Sequence, residues 1–133
     1  MRVKHLIAVS AMALAAACAA MDNSTKVPVA TFDEATTAEL ASNALLAEWT
    51  GPHGGQPAFD RMDLALIKPA LEAGMAASLA EIDAIANNPA KPTFENTLVA
   101  MERTGEPLDR AMTYYGIWSS NVSSAEFRKI QAE

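Results

Sequence analysis

The sequence is poor in the side chains that carry out chemistry. A single cysteine, Cys18, among 133 residues excludes an intrachain disulfide and any multi-cysteine zinc site. The two histidines, His5 and His53, leave almost no material for a histidine metal centre or a catalytic triad. Basic residues are outnumbered 10 to 16, a formal charge of −6. No nucleic-acid partner is expected, because phosphate binding needs a basic face. Aromatic residues are 6% of the total, and the chain after residue 20 has no alternating run of strand length. The length is enough for one small domain and too little for two. As a self-sufficient enzyme, the composition is a poor candidate.

Apolar residues are plentiful, at 50%, with many Ala and Met, which points to an all-α fold with a buried core. The first segment, MRVKHLIAVSAMALAAACAA, reads as an export signal over residues 1–17. Arg2 and Lys4 make a basic start, and Leu6–Ala17 carries no charge. As a helix that stretch would span about 18 Å, short of the roughly 30 Å of a hydrocarbon core. Small residues precede Cys18, which has two readings. It is a lipidated cysteine at the new N-terminus, or a small residue in an ordinary cleavage region. Ala15 stands where a lipoprotein signal usually has Leu. With the first reading favoured, Cys18 would anchor the chain to a membrane through its acyl groups, each buried CH₂ contributing about 0.8 kcal/mol. Ala19 directs such a lipoprotein to the outer membrane. Either reading sends the body to the periplasm. Removal of residues 1–17 leaves 8 basic and 16 acidic side chains, a formal charge of −8.

Residues 18–42 read as a tether or linker, with 31–42 open between a weak helix and more linker. Residues 43–133 read as a helical segment. The stretch Asn43–Asp60 is broken by Gly51-Pro52, Gly54-Gly55 and Pro57, with Leu45, Leu46, Trp49 and Phe59 as anchors onto a helical body. Asp63 caps a first turn, and Pro69 suits the N1 position of a helix running to Asn87. Leu71, Met75, Leu79, Ile82 and Ile85 fall on one stripe of that helix. Asn87-Asn88-Pro89 stops it through a left-handed Asn cap. Thr93 caps a helix with Phe94, Leu98 and Met101 on one face, and Gly105 ends it. Pro107 opens another with Leu108, Ala111, Tyr115 and Trp118 on one face, widened by Met112 and Ile117. A Ser123–Glu126 capping box starts a last helix bearing Phe127 and Ile130. The expectation is four short antiparallel helices, the last one needing a partner from outside the chain and running on past the terminus.

Several blocks carry a resemblance. They are Trp49–Asp60 (WTGPHGGQPAFD), Lys68–Ala73 (KPALEA), Ala80–Pro89 (AEIDAIANNP), Pro92–Thr97 (PTFENT) and Gly116–Asn121 (GIWSSN). In order and spacing they resemble bacterial peptidyl-dipeptidases (dipeptidyl carboxypeptidases), zinc metallopeptidases of the thimet oligopeptidase family. The resemblance covers roughly residues 43–133 and lies within that family's N-terminal helical region. It implies an α-helical body around a narrow channel that admits short peptides, with zinc at its floor. The metal there is held by His-Glu-x-x-His and a later Glu, the two His sharing one helix face. This sequence contains no His-Glu-x-x-His. No catalytic and no metal residue of the family maps onto it, so zinc is the cofactor of the full-length family and none is expected on this chain. The expected identity is an N-terminal fragment of an exported peptidyl-dipeptidase, with short peptides as substrates of a region outside it. The alternative is a standalone helical lipoprotein with a binding or scaffolding role.

The residues able to do chemistry also have plainer readings. His53 could bind metal or act as a base, but a lone His beside Gly is usually a solvated turn residue. The Gly51–Gly55 loop could cradle an anion, but no strand precedes it and no Lys-Ser/Thr follows. Tyr114, Tyr115 and Trp118 could stack on a peptide, but their helical spacing suits a core. Glu72, Glu81, Asp83, Glu95 and Glu102 could include an acid–base pair, but scattered helix carboxylates normally face solvent. No catalytic residue is nominated.

Overall fold

The computed structural model describes residues 27–133, and the signal segment and Cys18 lie outside them. The fold is all-α. Among the described residues there is no strand, only an isolated bridge between Thr50 and Gln56. The open segment 31–42 takes its helical form. Helix α1 spans Glu34–Ser42, capped by Asp33, whose carboxylate accepts the Thr36 N–H at 2.7 Å. Asn43 ends α1 and is buried with its amide fully used. Its Nδ2 donates to Leu66 O and to Glu39 Oε2, and its Oδ1 accepts from Leu45 N–H. One side chain thereby ties α1, the following loop and the start of the next helix.

Helix α2 runs over Ile67–Ala86. Asp63 accepts the Ala65 N–H and begins a 3₁₀ turn, Leu64–Leu66, that leads straight into α2. Pro69 is therefore the third helical residue and not the first. The first turn has N–H groups to spare, so a missing donor is tolerated there too. At the other end Asn87 stays at φ −97° and its side chain donates back to Asp83 O at 2.8 Å, so the left-handed cap is not used.

Which face of α2 is buried departs from the expectation, although Leu71 packs against the core and Ile85 is half-buried. Ile67, Ala70, Ala73, Gly74 and Ala77 are the buried residues. Met75, Leu79 and Ile82, from the stripe expected to form the core, are 53%, 62% and 49% exposed. The cause is the close approach of helix α4, Glu106–Asn121, which runs antiparallel to α2. Gly74 meets Leu108, and Gly105 N–H donates to Glu81 Oε2 at 2.7 Å. A Cβ on Gly74 would lie 2.9 Å from the Leu108 Cα, so only a face of small residues lets the two backbones come this close.

Helix α3 joins a π-helical stretch, Phe94–Val99, to an α-turn, Ala100–Glu102. Thr93 caps it as expected, in a reciprocal pair with Asn96. Here too the large stripe points outward. Asn96 and Ala100 are buried, whereas Phe94, Leu98 and Met101 are exposed. In α4 the inward face is Ala111, Tyr114 and Trp118; Tyr115 is only half-buried and Met112 is exposed, so this helix is not buried on a second side. Helix α5, Ala125–Gln131, is capped by Ser124 and not Ser123, the Ser124 hydroxyl accepting the Phe127 N–H at 3.1 Å.

The core gathers Leu45, Leu46, Ile67, Ala70, Ala73, Ala111, Tyr114, Trp118 and Phe127. Phe127 stacks on Trp118 and leans on Tyr115. Its complete burial contributes about 1.5–3 kcal/mol. The last helix therefore finds its cover within the chain, contrary to expectation. Lys68 adds a tie across the surface to Glu133, whose carboxylate raises the lysine's pKa.

Two outcomes follow for stability. Gly74→Val destabilises the chain by about 1–3 kcal/mol through overpacking against Leu108, measured by chemical denaturation. The Asp33 carboxyl is held below its ordinary pKa, first by the Thr36 backbone N–H and then by the Thr36 side chain. A depressed carboxylate stabilises above its unfolded pKa and loses that contribution as pH falls through the folded one. The Thr36 amide should therefore lose hydrogen-exchange protection as pH drops below about 4, and Asp33→Asn should remove that pH dependence.

Candidate functional site

The loop between Trp49 and Phe59 is where the sequence concentrates its unusual residues. Its geometry comes from backbone conformations that favour glycine. Gly51, Gly54 and Gly55 have φ of 117°, 89° and 90°, and His53 sits among them at 61°. At Gly55 the reason is contact, since a Cβ would come within 2.5 Å of the Trp49 carbonyl oxygen. The loop is pinned from both sides. Arg110 Nε donates to Leu46 O at 2.9 Å, and the Ala58 N–H donates to Tyr114 Oη at 2.7 Å. Trp49 meets the edge of the Tyr114 ring at 90°.

His53 is exposed at the tip of a 3₁₀ turn, Pro52–Gly54, and among the described residues no hydrogen bond or ion pair holds it. Among the described residues no cluster of three or more His, Cys, Asp or Glu side chains could hold a metal. The donor set of the described residues does not fit zinc.

Between this loop and α4 lies an open cleft of about 540 Å³, lined by Glu48, Trp49, Gly54, Glu106, Asp109, Arg110 and Thr113. The Trp49 indole Nε1 is buried beside it without a partner. Arg110 is already committed to Leu46 and faces Glu106 at 3.7 Å. The Thr113 hydroxyl in its wall donates to the Asp109 backbone carbonyl at 2.9 Å. The remaining carboxylates are dispersed. Glu72, Asp83, Glu95 and Glu102 are exposed, and Glu81 is spent on Gly105. The aromatic trio serves the core. Tyr114 and Trp118 are buried, and Tyr115 packs on Phe127.

The feature that reading residue types misses is the pair of apolar strips left outside. Met75, Leu79 and Ile82 on α2, and Phe94, Leu98 and Met101 on α3, repeat at i, i+4 and i+7 and lie exposed. The signal was present as period. What the period cannot say is whether a stripe or the face behind it is the one that packs.

Over 91 residues the chain is 32% identical to the dipeptidyl carboxypeptidase of Salmonella typhimurium (strain LT2), which is 68% of this chain and 13% of that protein. Over 91 residues it is 33% identical to the dipeptidyl carboxypeptidase of Escherichia coli (strain K12), again 68% of this chain and 13% of that protein. The chain thus spans about one-eighth of the length of these curated relatives. No family model matches it, and no solved structure matches it at a significant level.

Tyr114→Phe leaves the Ala58 N–H without its acceptor and should cost about 1–2 kcal/mol in chemical denaturation. His53→Ala should leave that transition and the chain's zinc content unchanged, as read by denaturation and metal analysis.

Proposed function

We propose that this chain is a helical wall segment from the N-terminal region of an exported, zinc-dependent peptidyl-dipeptidase that cleaves short peptides. In this reading α2–α5 help to frame the channel, and zinc and the residues that activate water belong to polypeptide outside the 133 residues. The carrying observation is the similarity over 91 residues to dipeptidyl carboxypeptidases of which those residues make up only 13%. The exposed strips support it, because a wall segment needs apolar faces for neighbouring helices. Residues 1–17 would be removed on export, with Cys18 lipidated and holding the protein at the outer membrane, facing the periplasm.

One observation favours the second reading, a standalone helical lipoprotein with a binding role. The aromatic core around Tyr114, Trp118 and Phe127 closes within the chain.

The genomic reading frame decides between them. The peptidase reading expects the frame to continue into sequence encoding His-Glu-x-x-His. A stop codon after Glu133, with no such sequence downstream, overturns it. The isolated chain should release no dipeptides from short peptides, and zinc-dependent turnover by it would overturn the assignment of chemistry to other residues.

A further inference from the structure

Resting on the peptidase reading, we propose that the outward strips of α2 and α3 are a docking surface for helices of the longer peptidase polypeptide. Those helices would carry an apolar face bordered by Lys or Arg. Singly exposed apolar residues are ordinary on a protein surface. These are not single. On each of two successive helices, large residues recur at i, i+4 and i+7 and point away from the core: Met75, Leu79 and Ile82, then Phe94, Leu98 and Met101. That is the spacing of a helix seam with its partner removed.

Charge identifies the occupant. Exposed Glu72 and Asp83 follow the α2 strip, and exposed Glu95 and Glu102 follow the α3 strip. The one basic residue within α2 is Lys68, which is paired with Glu133; α3 has none between its ends, with exposed Lys91 and Arg103 lying outside them. A second copy would bring the same acidic borders face to face, a like-charge arrangement that disfavours a symmetric dimer. A partner with a basic border meets no such penalty. Length supplies the source, since the matched relatives are several times longer than the region they share with this chain.

The test co-expresses the full chain with the Escherichia coli relative from which the matching 91 residues have been deleted. Complex formation is read by co-purification and sedimentation velocity, and burial by hydrogen peroxide oxidation of methionine. Met75 and Met101 lie on the strips, and Met112 is exposed elsewhere, on α4. The expected result is a complex weakened by added salt. Met75 and Met101 should oxidise at least tenfold more slowly in it, and Met112 at its original rate. The double variant Leu79→Asp/Leu98→Asp should weaken the complex at least tenfold. Both side chains are more than half exposed, and circular dichroism confirms that the variant keeps its helices. A complex that protects Met112 instead, or that ignores the double variant, assigns docking to another face. It overturns this inference and leaves the peptidase reading standing. Absence of any complex overturns the inference and leaves the peptidase reading to the reading-frame test. Self-association of the chain alone, with Met75 and Met101 protected, assigns the strips to a second copy and overturns the inference.

Discussion

The close approach of α2 to α4 at Gly74 and Leu108 governs the rest of the structure. Two helices that near to each other can place only small residues between them, so α2 turns Ala70, Ala73, Gly74 and Ala77 inward. A helix has one face opposite any other. Once the small residues are committed, Met75, Leu79 and Ile82 are carried outward. The tight seam and the exposed strip are two sides of one choice. The bulk of the core is consequently supplied from other elements: Leu45 and Leu46 of the loop and Tyr114, Trp118 and Phe127 of α4 and α5 pack with Ile67, Ala70 and Ala73 of α2.

Long-range hydrogen bonds hold this arrangement where apolar contact is thin. The Tyr114 hydroxyl accepts from Ala58, Arg110 donates to Leu46, Glu81 accepts from Gly105, and Asn43 donates to Leu66. Each joins a loop to a helix or a helix to its neighbour. Each also uses a polar group that could otherwise have been taken for part of an active centre. Glu81 shows this well. In sequence it is one of several helix carboxylates, and in the fold it is the acceptor that secures the turn before α4.

Much of the fold was legible in local punctuation. Asp63, Asn87-Asn88-Pro89, Thr93, Gly105 and Pro107 mark element boundaries that the structure keeps to within a few residues. These are short-range effects, set by capping and by the chemistry of proline and glycine. Facing was not legible, because it depends on the neighbour. A stripe of Leu, Ile and Met gains most from burial only if the neighbour leaves room, and α4 does not. The core placement expected of Tyr114 and Trp118 holds, and Tyr115, on the neighbouring side of α4, is only half-buried. At the candidate site His53 lies exposed in its turn, as a loop His beside Gly suggests, whereas Glu81 departs from the solvent-facing reading by accepting from Gly105. The outer strips went unrecognised as a surface because the same residues had been assigned to the core.

The glycine-rich loop has a consequence of its own. Its tip, Gly51–Gly54, stands in solvent, whereas the chain on either side is secured separately, upstream by Leu45 and Leu46 and downstream by the bond from Ala58 to Tyr114. A protease would meet an exposed turn there. A cut would sever the backbone without releasing either end, so the nicked protein would stay associated as two pieces that separate only on denaturation.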